Sequence, residues 1–314
     1  MVAHQTTKRS PITNGFSGKF IFLGLLFCLT ATIVLVTIYA LKEFADPVCP
    51  HSEDETSVQP EPEVEPEKPV LPNKIDFQPI VDQFVNSTTG NRSVIVYDIK
   101  RDEMAGQYNI AENYNTASLY KLFVVYEGYR RIENGSWDAN APVGYTGKSV
   151  LECLDLAIRE SYSPCAEPLW NMIGHGELDS IISNDYGITG SVISGLQSNP
   201  NDILAIMKRF YEHPDFSRED LVLKMKDSFL NQPPTTYNWR QGLPSGFSRA
   251  NVYNKVGWDY NPSGNYWNIY HDAAIVEFPE QDRHFIVIVM TNRVPFQKIK
   301  EFGSNLEALY YQTL

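Results

Sequence analysis

The chain has 314 residues, 43% of them hydrophobic, enough for one or two domains with a sizeable core. A formal net charge of -12 leaves no basic stripe to meet phosphates and excludes nucleic acid as a partner. None of the four cysteines and six histidines shows zinc-site spacing, so neither metal nor other cofactor is expected.

Residues 1–19 are polar, carry Lys8, Arg9 and Lys19, and hold no acidic residue. Phe20 to Leu41 is an apolar run of 22 residues without a charge. As a helix it is roughly 33 Å long, about the thickness of a bilayer core. It is long for the core of a cleaved leader, and no small-x-small cleavage site follows it. The reading is an uncleaved signal-anchor. Positive charge before it and Glu43 and Asp46 after it put the N-terminus in the cytoplasm and the rest outside. The protein is thus expected in the cell membrane as a single-pass chain. Residues 42–74 alternate proline with acid, from Pro47 and Pro50 to Glu67, Pro69 and Pro72. Such a linker lacks apolar surface to pack and is expected to stay extended, carrying a domain away from the membrane.

Residues 75–314 form the expected folded domain. The apolar spacing of Ile75, Phe77, Ile80, Val81 and Phe84 predicts a helix over 75–85. Stretches 93–99 and 104–109 read as a hairpin. From 116 to 229 the pattern is helical: 116–133, 149–159, 164–173, 177–184, 200–212 and 218–229. Asn199-Pro200 with Asp202 is a helix start. Strands return at 252–258, 266–278 and 284–292, and a helix over 296–312 closes the chain. Strands at both ends with helices between them predict one α+β unit. Its antiparallel sheet would carry the terminal helices on one face and an all-helical insert on the other.

The stretch Thr116-Ala117-Ser118-Leu119-Tyr120-Lys121 stands out. Thr116 is a candidate N-cap. Ser118 and Lys121, three apart, share a helix face. A desolvated lysine amine beside a serine hydroxyl is a way to make a nucleophile. Cys153 and Cys165 are twelve apart and flank a polar turn, Arg159 to Ala166. If that region is extracellular, a disulfide is reasonable; two free buried thiols are the alternative.

Further along come Ser161-Tyr162-Ser163 in that turn, Lys255-Val256-Gly257-Trp258 in a strand, and His271-Asp272-Ala273 opening the next. With Ser118-x-x-Lys121 these occur in the order Ser-x-x-Lys, Ser-x-polar, Lys-x-Gly. Here residues 90–314 resemble the class A β-lactamase-like serine hydrolases, relatives of penicillin-binding DD-peptidases. The resemblance implies the β-lactamase/transpeptidase-like fold. It implies Ser118 as acyl-accepting nucleophile and Lys121 as its base or a partner of the base. Ser161 would relay the proton to the leaving nitrogen, and Lys255 would face the substrate carboxylate. The backbone amides of Ser118 and Trp258 would form the oxyanion hole. Ser163, Val256 and Gly257 would touch substrate, Gly257 by close approach of its backbone.

Three departures matter. Ser163 replaces the family's asparagine, which contacts both substrate and the Ser-x-x-Lys lysine. Val256 lacks the hydroxyl of Lys-Thr-Gly. Between Ser161 and Pro200 no glutamate has the context of a water-activating residue; Glu167 and Glu177 fall on predicted helices. The resemblance therefore implies an acyl-enzyme that persists. The expected function is a membrane-anchored extracellular serine hydrolase acting on a cell-wall peptide or a β-lactam-like amide. A true β-lactamase and a catalytically idle domain binding wall fragments or a protein stay as alternatives. His271 and His175, which the family does not need, are expected to have surface or structural roles.

Overall fold

The computed structural model describes residues 72–232, 240–259 and 269–314. The expected cytoplasmic tail, membrane span 20–41 and nearly all of the linker lie outside these residues. Among the described residues no helix is long and apolar enough to cross a membrane. The described chain begins tied to the domain: the Pro72 and Asn73 carbonyls accept from Arg101 (2.8 Å) and Arg283 (2.9 Å).

A five-stranded antiparallel sheet organises the domain. The strands are β1 (Arg92–Asp98), β2 (Glu103–Tyr108), β5 (Asn251–Asp259), β6 (Ile269–Phe278) and β7 (Arg283–Asn292), in the order β2-β1-β7-β6-β5. A separate two-residue ribbon pairs β3 (Tyr114–Asn115) with β4 (Gln197–Ser198). The side-chain alternation of the strands divides two cores. Ile95, Tyr97, Ile286 and Ile288 face the helical insert. Val94, Val96, Val287 and Val289 face the terminal helices α1 (Gln78–Asn86) and α9 (Phe296–Gln312). Central strands covered on both faces therefore read in sequence as apolar runs.

The insert comprises α2 (Tyr120–Glu133), α3 (Val150–Arg159), α4 (Ser163–Ile173), α5 (His175–Asn184), α6 (Pro200–Glu212) and α7 (Glu219–Leu230). A short turn of helix, α8 (Leu243–Gly246), precedes β5 and packs on α9, where Ser304 donates to the Gly246 carbonyl at 2.9 Å. α6 starts as expected: the Asn199 side chain accepts from the Asp202 amide at 3.0 Å and Pro200 takes the first turn. α3 starts with a reciprocal cap between Ser149 and Glu152.

Two expectations are corrected. The first helix begins at Gln78 rather than Ile75, because the Phe77 amide is used by the Ala105 carbonyl of β2 at 2.7 Å. Thr116 is not an N-cap. Its hydroxyl lies 3.2 Å from the Ala117 carbonyl, and a 3-10 turn, Ala117–Leu119, comes before α2. The first residues of the strand expected over 266–278, namely 266–268, lie outside the described residues.

Candidate active site

The nucleophile turn is fixed from both sides. The β3–β4 ribbon delivers Asn115, whose side chain accepts the Ala117 amide at 2.9 Å, and the Thr116 amide donates to the Leu196 carbonyl at 2.8 Å. Ala117 sits in the left-handed region at φ +43°, a strained position for a residue with a Cβ. The turn leaves Ser118 half-buried and sends Lys121 into the core, where its side chain has no solvent exposure.

The turn after α3 brings the second group. Cys153 on α3 and Cys165 on α4 form a disulfide, with Cα atoms 4.9 Å apart, so the open question about these thiols resolves to a bond. It clamps the two helices on either side of Ser161. Ser161 is also left-handed, at φ +54°, and presents both its carbonyl and its hydroxyl to Lys121. The third group comes from β5. Lys255 follows Tyr253 on the insert-facing side of the strand, in register with Ala273 of β6.

These residues, far apart in sequence, meet at one centre. Lys121 Nζ lies 3.1 Å from Ser118 Oγ, 2.6 Å from the Ser161 carbonyl, 3.3 Å from Ser161 Oγ and 3.0 Å from Ser163 Oγ. Lys255 Nζ lies 2.8 Å from Ser161 Oγ and 2.8 Å from the Val256 carbonyl. Ser163 thus reaches the lysine despite being shorter than an asparagine. Val256 is itself buried, at 2% exposure, and contributes its carbonyl to Lys255.

The electrostatics follow from burial. Desolvation pushes the Lys121 amine down to about 8, with Glu167 working the other way. Lys255 is held well below its ordinary value by burial first and by Lys121 second, against Asp272. A partly neutral Lys121 at 3.1 Å can take the Ser118 proton. The Ser161 oxygen accepts from two amines, which occupies its lone pairs and leaves its proton to be donated to a leaving group.

Gly257 has a use beyond the one expected. A Cβ there would sit 2.6 Å from the Thr116 carbonyl and 2.9 Å from Leu119 Cγ, so its bareness lets β5 pack on the nucleophile turn. Behind it, His271 is fully buried and structural. Its Nδ1 accepts the Thr291 amide and its Nε2 donates to the Asn115 carbonyl, both at 2.9 Å. That pairing fixes the neutral tautomer, and burial pushes its pKa down to about 4. Trp258 pairs with Tyr270 at the end of β5 and is half-buried. Trp239 and Trp267, the other aromatics near this strand expected to line a pocket or pack in the core, lie outside the described residues.

Two groups have no role assigned in the sequence reading. Asp272, across β5 from Val256, accepts from the Leu243 amide (2.8 Å) and the Asn254 side chain (2.9 Å). Burial pushes its carboxyl up to about 7. An acid inside an apolar strand was the available signal. Glu167 was placed on a helix without a role. On α4, Ser163, Glu167 and Trp170 form one stripe at i, i+4, i+7. Ser163 touches Lys121 and the Trp170 ring packs at a tilt against Tyr120, centroids 4.9 Å apart, so the exposed Glu167 lies between two contacts to the nucleophile helix. Glu177 pairs instead with Arg131. Among the described residues no group of His, Cys, Asp or Glu is set to hold a metal.

Comparison with known proteins supports the same fold. The family model described as "Beta-lactamase enzyme family" matches residues 76–313. Similar solved structures include PBP-A, at 16% identity and TM-score 0.62, covering 78% of this chain and 100% of that one. The TLA-1 extended-spectrum beta-lactamase has 15% identity and TM-score 0.62, covering 74% and 98%. A class A beta-lactamase described as the last common ancestor of Gram-negative bacteria has 15% identity and TM-score 0.64, covering 74% and 99%. No curated protein matches the chain.

Proposed function

The chain belongs to the beta-lactamase enzyme family, and from that premise we propose that it is a serine hydrolase working through an acyl-enzyme on Ser118. The observation that carries the proposal is the convergence of Lys121 and Lys255 on the Ser161 hydroxyl, with Lys121 in reach of Ser118. Lys121 takes the Ser118 proton as the hydroxyl attacks a carbonyl. Ser161 returns a proton to the leaving nitrogen. Lys255 keeps the centre positive toward a substrate carboxylate, and the amides of Ser118 and Trp258 receive the oxyanion.

The substrate proposed is a cell-wall peptide or a β-lactam-like amide. The 22-residue apolar run and the Pro/Glu-rich stretch after it support an anchored, extracellular domain. So does the Cys153–Cys165 disulfide, which belongs to an oxidising compartment.

Intact mass after incubation with a penicillin tests the reading. One acyl adduct on the wild-type chain and none on Ser118→Ala is the expected result. Absence of any adduct with β-lactams or serine-reactive esters overturns it. The time course separates the two enzymatic variants: a lasting adduct marks a penicillin-binding type, and repeated turnover of nitrocefin marks a β-lactamase.

A further inference from the structure

The two lysines of the catalytic centre are buried among neutral groups. Lys121 has no solvent exposure and Lys255 has 1%. Among the described residues every hydrogen-bond partner of either amine is a neutral oxygen: the hydroxyls of Ser118, Ser161 and Ser163 and the carbonyls of Ser161 and Val256. A buried charge is costly without a counter-charge, so an ammonium here needs a negative group within its field.

For Lys255 that group lies on the far side of the sheet. Asp272 has no solvent exposure and pairs in register with Val256, the residue after Lys255. By strand alternation Asp272 and Asn254 face the terminal helices with Ala274 and Val252, while Lys255 faces the insert with Ala273. The Asp272 carboxyl takes two neutral donors, the Leu243 amide at 2.8 Å and the Asn254 side chain at 2.9 Å, which leave a charge on it uncompensated. Its field reaches two cations: Arg240 on its own face and Lys255 through the strand. Arg240 is also held by the carbonyls of Leu230 and Val252, each at 3.1 Å. Lys255 is pressed toward its neutral form by burial and by Lys121, with Asp272 set against them.

We propose that Asp272 is a positioning residue for the charge that meets a substrate carboxylate: from behind the sheet it keeps Lys255 an ammonium, and so sets the preference of the site for substrates that carry a carboxylate. The inference rests on the acyl-enzyme reading and on the role given there to Lys255.

Acylation of the full chain by benzylpenicillin and by its methyl ester, followed by intact mass at pH 8, tests it. At that pH the Asp272 carboxyl, which burial raises to about 7, is ionised. Both rates are read on one sample, so their ratio does not depend on the fraction folded. The wild type is expected to react faster with the free acid. Asp272→Asn keeps the shape of the side chain and is expected to cut the acid-to-ester ratio about tenfold, the effect of one pKa unit on Lys255. Arg240→Gln/Asp272→Asn removes the two opposite charges on that face together. It should lower the ratio equally, and it carries the test if the single variant does not fold. Asp272→Asn/Asn254→Asp returns a carboxylate beside Lys255 and should restore the ratio. A ratio that is unchanged or rises without Asp272, a swap that restores nothing, or a wild type indifferent to the carboxylate overturns the inference. A wild type that forms no adduct with either compound overturns the acyl-enzyme reading, and the inference with it.

Discussion

Lys121 and Lys255 converge on a single oxygen, their Nζ atoms 3.3 and 2.8 Å from Ser161 Oγ. Two buried amines so close do not both hold a full charge cheaply. Lys121, pushed to about 8 by burial, is the one in reach of Ser118. If it is the base, acylation follows its neutral fraction, roughly a tenth at pH 7. The second-order rate of acylation by a β-lactam should therefore climb about tenfold from pH 6 to 7 and level off above pH 8. A rate flat between pH 6 and 9 removes Lys121 from the role of base.

Glu167 favours the charged form of Lys121, so its removal should shift that profile. Glu167→Gln lowers the Lys121 pKa further and moves the rising limb toward acid. At pH 6.5 the variant should acylate about two- to threefold faster than wild type, the size of an exposed charge effect. At pH 9 the two should be equal. Because Glu167 is exposed, half-molar salt should shrink the difference. A slower variant at pH 6.5 would mean the carboxylate does something other than tune the lysine.

Gly257→Ala probes how β5 meets the nucleophile turn. The added methyl would press on the Thr116 carbonyl, which is backbone and cannot swing away. Overpacking of this kind costs about 1–3 kcal/mol. The displaced segment is the one that carries Ser118 and Lys121, so acylation should fall by more than the fraction unfolded. Denaturant midpoints and adduct formation at a temperature where both proteins are folded separate the effects. Wild-type stability and acylation in the variant would show that the strand has room to spare.

Much of this was legible before the structure, and the exceptions have physical causes. Helices 200–212 and 296–312 were found at their ends because capping residues and a long apolar period mark them. Ser118, Lys121, Ser161 and Lys255 were singled out by their resemblance to a family's motifs, and the fold brings the four side chains to one centre. The β3–β4 ribbon was missed because two residues a side carry no period. Thr116 was misread as a cap because sequence does not distinguish a 3-10 entry from an α-helical one. The left-handed Ser161, the second use of Gly257 and the placement of Glu167 exist only once distant segments touch.

The Cys153–Cys165 bond closes a short loop that contains Ser161. Constraining such a loop in the unfolded chain is worth about 3 kcal/mol. The bond also clamps α3 to α4 on both sides of a strained residue. Cys153→Ala/Cys165→Ala should lower stability by about that amount. Acylation should fall in the folded fraction as well, because the Ser161 turn loses its brace. Unaltered acylation in a destabilised variant would confine the bond to a stabilising role.

His271 ties β6 to the nucleophile turn in its neutral form only, since Nδ1 accepts and Nε2 donates. Its folded pKa of about 4 lies below the unfolded value of 6.5. Between these values the unfolded chain binds more protons, so this group's stabilisation is complete above pH 6.5 and is lost as the pH falls toward 4. The loss amounts to about 3 kcal/mol at most. Asp272, raised from 3.8 to about 7, runs the other way, its folded form holding a proton that the unfolded chain releases. The two partly cancel in the wild type, so the pH dependence of the wild type alone is a poor readout. The difference between wild type and His271→Gln isolates the histidine. Urea unfolding at pH 7.5 and pH 4.5 should show the advantage of wild type over the variant shrinking by about 2–3 kcal/mol. An advantage that stays constant across that range would mean His271 keeps its contacts when protonated, and the neutral tautomer would then not be what holds the nucleophile turn in place.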